Sequence, residues 1–141
     1  TFTQGEDACL AALVPELPAA PADAEPDLLV VGTLADVVED QFARLFAELG
    51  LSRVRFFPPR HAGELPAVGP NTLFLLAQPF LADTARALEA LGAHRLKAPF
   101  PLGAEGTTRW LQAAAAAFGV RTMRFDAVTA AAHARAEGAL A

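Results

Sequence analysis

The sequence predicts an α/β protein, a Rossmann-like three-layer domain on a mostly parallel sheet of four strands. Three observations point there. Short apolar runs alternate with amphipathic helical stretches along most of the 141 residues, and such alternation forces crossovers that return the chain to the same end of a sheet. The run DLLVVGTL (27–34) is apolar without a polar alternate, as a parallel strand covered on both faces must be. The apolar content, 53% with ten Phe and no Tyr, is enough for one domain with a real core.

The elements follow in order. Thr3 and Glu6 have capping-box spacing and would open a short helix ended by Pro15. VPELPAAPADAEPD (14–27) carries Pro15, Pro18, Pro21 and Pro26, too many for a helix or a central strand, and should run extended over the surface. After the strand DLLVVGTL, ADVVEDQFARLFAELG (35–50) sets Val38, Phe42, Leu45, Phe46 and Leu49 on one helical face, with Asp36 as cap and Gly50 as stop. RVRFFP (53–58) and NTLFLLA (71–77) supply two more strands. The crossover between them, 57–71, is rich in Pro and Gly and reads as an ordered loop or a single turn. LADTARALEALG (81–92) aligns Leu81, Ala85, Leu88 and Leu91, HRLKAP (94–99) is a short fourth strand, and GTTRWLQAAAAAFG (106–119) aligns Trp110, Leu111, Ala114 and Phe118. AVTAAAHARAEGALA (127–141) is a last, Ala-rich helix. The expected organisation is thus a helix and Pro-rich linker over 1–26, the Rossmann-like body over 27–120, and a C-terminal helix over 121–141.

Charge and cysteine usage exclude several functions. A net charge of −5 and an isoelectric point near 5.1, with scattered arginines, offer no basic stripe for a nucleic acid. LQAAAAAFGV is too short to cross a bilayer and is bracketed by Arg109 and Arg121. The opening TFTQGEDACL has neither an initiator Met nor a signal pattern, and reads as the start of a piece of a longer protein. The single cysteine, Cys9, cannot make an internal disulfide, and a zinc or iron–sulfur site needs about three further ligands. Cys9 is expected to be a small buried hydrophobe on a helix.

Ligands of such sheets gather at the carboxyl ends of the strands, which makes GTLAD, FPPRHAG, AQPFLAD and PFPLGAEGTT the informative loops. The last fails as a phosphate loop, because Gly103 and Gly106 are too close and no lysine follows. It reads as a strand-to-helix corner in which Pro101 stiffens the strand exit, Gly103 and Gly106 allow close backbone approach, and Thr107 caps the helix. Asp36, Glu39 and Asp40 lie in the first turns of a helix, where negative charge complements the dipole. His61, His94 and His133 lack metal-ligand spacing, and Ser52 is the only serine, so no nucleophilic set can be assembled. On residues alone the chain has no self-sufficient active site. A stand-alone Rossmann-like module, binding a small ligand or partner at this edge, is one reading they leave open.

Four segments read together carry a second one. FTQGEDACLAALVPEL, LLVVGTLADVVEDQFARLFAELG, LLAQPFLADTARALEALGA and APFPLGAEGTTRWLQAAAAAFG resemble, in this order, the middle portion of the N subunits of the nitrogenase-like light-independent protochlorophyllide reductases. The resemblance covers nearly the whole chain; the Pro-rich linker and last helix match only in type. It implies an N subunit of three Rossmann-like domains, paired with a B subunit in a heterotetramer. A separate ATP-hydrolysing L protein would deliver electrons through a 4Fe–4S cluster at the N–B boundary to protochlorophyllide, reducing its D ring to give chlorophyllide. It further implies a cytoplasmic protein, with Mg-ATP bound on the L protein; the Ala- and Arg-rich composition is compatible with a photosynthetic bacterium. The family's cluster-ligating cysteines match no position here, so neither Cys9 nor any other residue of this chain inherits that role. Catalytic, cofactor-binding and metal residues are therefore expected to be none, and the candidate cleft or interface residues are Thr3, Gln4, Gly5, Gly103, Glu105, Gly106 and Thr107.

Overall fold

The structure, a computed structural model, describes residues 2–61 and 63–140, with side-chain surroundings for 5–61 and 63–135. Four strands, β1 (Asp27–Val31), β2 (Val54–Phe57), β3 (Thr72–Leu76) and β4 (His94–Arg95), form one sheet in the order β2-β1-β3-β4. Every pairing is parallel. Among the described residues five α-helices accompany them, α1 (Phe2–Leu13), α2 (Asp36–Glu48), α3 (Ala82–Ala90), α4 (Gly103–Ala117) and α5 (Thr122–Leu140).

The period-two geometry of β1 splits the core in two. Leu29 and Val31 face Leu10 of α1, Val14 just beyond its end, and Ala85 and Leu88 of α3. Leu28 and Val30 face Phe42 and Phe46 of α2, Trp110 and Ala114 of α4, and Phe125 of α5. All four β1 residues are fully buried, which is why the run carries no polar alternate. The expected three layers are present. The β1–α2–β2 crossover moves one way along the sheet on one face, and β3–α3–β4 the other way on the opposite face, so both have the same hand. The described residues between 57 and 71 form no helix, as expected; Val68 forms an isolated parallel bridge with Ala19 of the Pro-rich stretch.

Several boundaries differ from the sequence reading. Helix α1 already includes Thr3, so the capping box is not its start. The α-helix ends at Leu13 and Pro15 sits inside a following 3-10 turn, Val14–Glu16, because a proline in a first turn lacks only an N–H that needs no partner. Asp36 is the first residue of α2 rather than its cap; Ala35 holds that position without a side-chain bond. Helix α4 starts at Gly103 behind Leu102, which puts Thr107 in the second turn and removes its capping role. Helix α5 begins at Thr122, five residues ahead of the Ala-rich stretch from 127 and within the expected C-terminal segment 121–141. Leu91 is exposed, since α3 has ended before it.

Candidate functional site

The crossovers diverge between β1 and β3, the place where doubly wound sheets open a ligand crevice at their carboxyl ends. In this chain α1 closes it. Glu6 Oε1 accepts hydrogen bonds from the Thr33 amide at 2.9 Å and from Gln78 Nε2 at 2.7 Å. Gln78 Nε2 also donates to the Thr33 carbonyl at 3.1 Å, so one carboxylate and one amide bridge the loops leaving β1 and β3. Gly32 leaves room for this bridge: a Cβ there would lie 3.0 Å from Gln78 Nε2, at a backbone φ of +139°.

The next residue closes the neighbouring helix. Asp7 accepts from the amides of Asp83 at 3.1 Å and Thr84 at 2.9 Å, and from the Thr84 hydroxyl at 2.7 Å. The residue preceding α3, Leu81, makes no side-chain cap; a carboxylate from another helix fills that role. Burial alone would push the Asp7 carboxyl up. Hydrogen bonds from the Thr84 hydroxyl and from the Thr84 and Asp83 amides, with the charge of Arg86, hold it below the usual carboxylate value. The two features that would receive a phosphate in this fold, the crevice and a helix N-terminus, are thus engaged by Glu6 and Asp7.

At the PFPLGAEGTT corner, Gly103 adopts φ +70° with open space around it, while a Cβ on Gly106 would lie 2.7 Å from the Phe100 carbonyl oxygen. Close approach therefore explains Gly106 but not Gly103, which is there for its backbone conformation. Glu105 pairs with Arg109 one turn on at 2.6 Å, both largely exposed. Thr107 lies in an apolar groove of about 310 Å³ between α4 and α5, with Leu111 and His133. Gly5 is exposed, with open space where a Cβ would project; the side chains of Thr3 and Gln4 lie outside the described surroundings.

The acidic run on α2 has a partner the sequence did not reveal. Arg60, from the loop after β2, reaches Asp40 at 2.6 Å, Glu39 at 3.3 Å and Asp36 at 3.5 Å, and donates to the Asp36 carbonyl at 2.9 Å. The Asp40 hydrogen bond, opposed by partial burial and helped by Glu39, raises the guanidinium pKa above its ordinary value. The cluster thus ties the loop after β2 to the first turns of α2, beside an open groove of about 670 Å³. His61 lines this groove, and His61, His94 and His133 are all exposed.

Cys9 is exposed, contrary to expectation, because the buried line of α1 runs through Asp7 and Leu10, on to Val14 of the following turn, and leaves Cys9 off it. Among the described residues no three His, Cys, Asp or Glu side chains come together as metal ligands. The cluster implied by the resemblance takes about four thiolates, and a chain with one cysteine does not fit it. No helix among the described residues is long and apolar enough to cross a membrane.

Comparison with known proteins gives this edge its context. The sequence model of the nitrogenase component 1 type oxidoreductases matches residues 1–141. The chain is 70% identical over 140 residues to a protein of Rhodospirillum rubrum named light-independent protochlorophyllide reductase subunit N, covering 99% of this chain and 32% of that protein. It is 69% identical to a protein of the same name from Rhodopseudomonas palustris strain TIE-1, over 99% of this chain and 32% of the relative. A third, from Bradyrhizobium sp. strain ORS 278, is 66% identical over all of this chain and 33% of its own length. The chain therefore spans about a third of the length of the curated relatives it matches.

Proposed function

The chain belongs to the nitrogenase component 1 type oxidoreductase family, and from that premise we propose that it is part of the N subunit of a light-independent protochlorophyllide reductase. The observation that carries this reading is the 66–70% identity to subunit N relatives over essentially every residue. The whole enzyme would use ATP hydrolysed on a separate L protein to reduce the D ring of protochlorophyllide to chlorophyllide, a step of chlorophyll and bacteriochlorophyll synthesis in a bacterial cytoplasm. Its N and B subunits would form a heterotetramer with 4Fe–4S clusters held by residues outside this chain.

Within that assembly these residues supply shape rather than redox chemistry. Residues 27–120 form the Rossmann-like body, 1–26 its helix and linker, and 121–141 a helix leading towards a third domain. Thr3, Gln4, Gly5, Gly103, Glu105, Gly106 and Thr107 face the inter-domain cleft or the B subunit. Engagement of Glu6 and Asp7 at the crevice favours this over a stand-alone module binding a small ligand there.

The test is reconstitution. Full-length protein carrying these residues, combined with the second subunit, the ATP-hydrolysing reductant protein and Mg-ATP, is expected to convert protochlorophyllide to chlorophyllide, read by absorbance. No conversion by an intact complex would overturn the reading.

A further inference from the structure

The carboxyl edge presents apolar side chains that neither water nor the local backbone favours. Of five large hydrophobic residues exposed among the described residues, three lie on this edge: Val37 after β1, Phe80 after β3 and Leu102 after β4. Phe80 is the most informative. It is 71% exposed while its neighbour Leu81 is 1% exposed, and among the described residues it is the only non-glycine with a positive φ, at +69°. This left-handed kink lets Leu81 enter the core while turning Phe80 outward. A glycine or asparagine would adopt it with less strain, so a phenylalanine in this posture signals a contact that compensates both its strain and its exposure.

The geometry points to Phe80 as an anchor buried by other segments of the same subunit polypeptide, inserted into an apolar pocket there; this rests on the subunit N reading above. Two observations favour the same polypeptide over a separately diffusing partner. The relatives run to about three times the length of this chain, so a subunit of that size has roughly two further portions of similar length to pack against this one. The charges flanking the rim are also satisfied internally: Asp83 pairs with Arg86, Glu105 with Arg109, and Arg60 with Asp36, Glu39 and Asp40. A separate partner is commonly drawn in by complementary charge, whereas a tethered segment needs no such steering.

A photo-crosslinking benzoylphenylalanine placed at position 80 of the full-length subunit, in complex with its second subunit, tests this. The expected product is a crosslink within the same polypeptide, located by peptide mass spectrometry. A crosslink to the other subunit or to a second copy would overturn the proposal, as would no crosslink. A second measurement uses Phe80→Gly, which relaxes the backbone while removing the side chain. A lower Tm of the full-length subunit is expected; an unchanged or higher Tm would mean that Phe80 sits in water. Protochlorophyllide turnover by the unsubstituted complex reports separately on the subunit N reading, so the two fail independently.

Discussion

Asp7 of α1 caps α3, with its Oδ1 2.7 Å from the hydroxyl and 2.9 Å from the amide of Thr84. These residues are 77 apart in sequence, so the bond fixes the position of the first helix against the loop leaving β3. Asp7→Ala in the full-length subunit should cost about 0.5–2 kcal/mol of stability, the range for losing a helix cap. Hydrogen exchange localises it: the amides of Asp83 and Thr84 should lose protection ahead of the sheet.

The same carboxylate makes a signed pH prediction. Its folded pKa lies below the unfolded value near 3.8, so its stabilisation is fully present above that value and is lost as pH falls through the folded pKa. The stability difference between wild type and Asp7→Asn, measured by denaturant titration, should be flat above that value and shrink below it.

Gly106→Val should destabilise the α4 corner, because a Cβ would sit 2.7 Å from a backbone oxygen that cannot swing aside as a side chain can. A loss of about 1–3 kcal/mol is expected from such overpacking, with reduced recovery of the subunit pair on co-purification. Glu105→Gln removes only an exposed one-turn ion pair, worth a few tenths of a kcal/mol, whereas Glu105→Arg also sets a like charge one turn from Arg109, in the first turn of α4. A subunit pair weakened more by Glu105→Arg than the small loss of subunit stability accounts for would mark Glu105 as an interface residue.

Trp110 fastens α4 to the end of β3, its indole N–H donating to the Leu76 carbonyl at 3.0 Å while its ring packs 4.8 Å from Phe42. Trp110→Phe keeps much of the ring contact but strands a buried carbonyl. A loss of about 1–3 kcal/mol is expected, measured as a shift in denaturant midpoint.

Periodicity carried the layers. The unbroken apolar run of β1 and the helical faces through Phe42, Phe46, Trp110 and Leu88 predicted a parallel sheet covered on both sides, and those residues are buried where expected. Helix starts were less legible because their partners are remote. Glu6 has capping-box spacing to Thr3, yet its carboxylate meets Thr33 and Gln78, and α3 is capped by a residue 77 positions away. Arg60 gave no signal beside its distant carboxylates, and the outward turn of Phe80 is invisible to any pattern of residue types. The resemblance located the family and the edge, whereas the closure of that edge by Glu6 and Asp7 required three-dimensional contacts.

On the proposed subunit N reading, these residues shape and brace the subunit while its redox centre is held elsewhere. Iron content per complex tests it most directly, measured on the full-length subunit pair with Cys9→Ser. Iron equal to wild type is predicted, since Cys9 is exposed and has no companion ligands among the described residues. A stoichiometric loss of iron in an intact Cys9→Ser complex would contradict it.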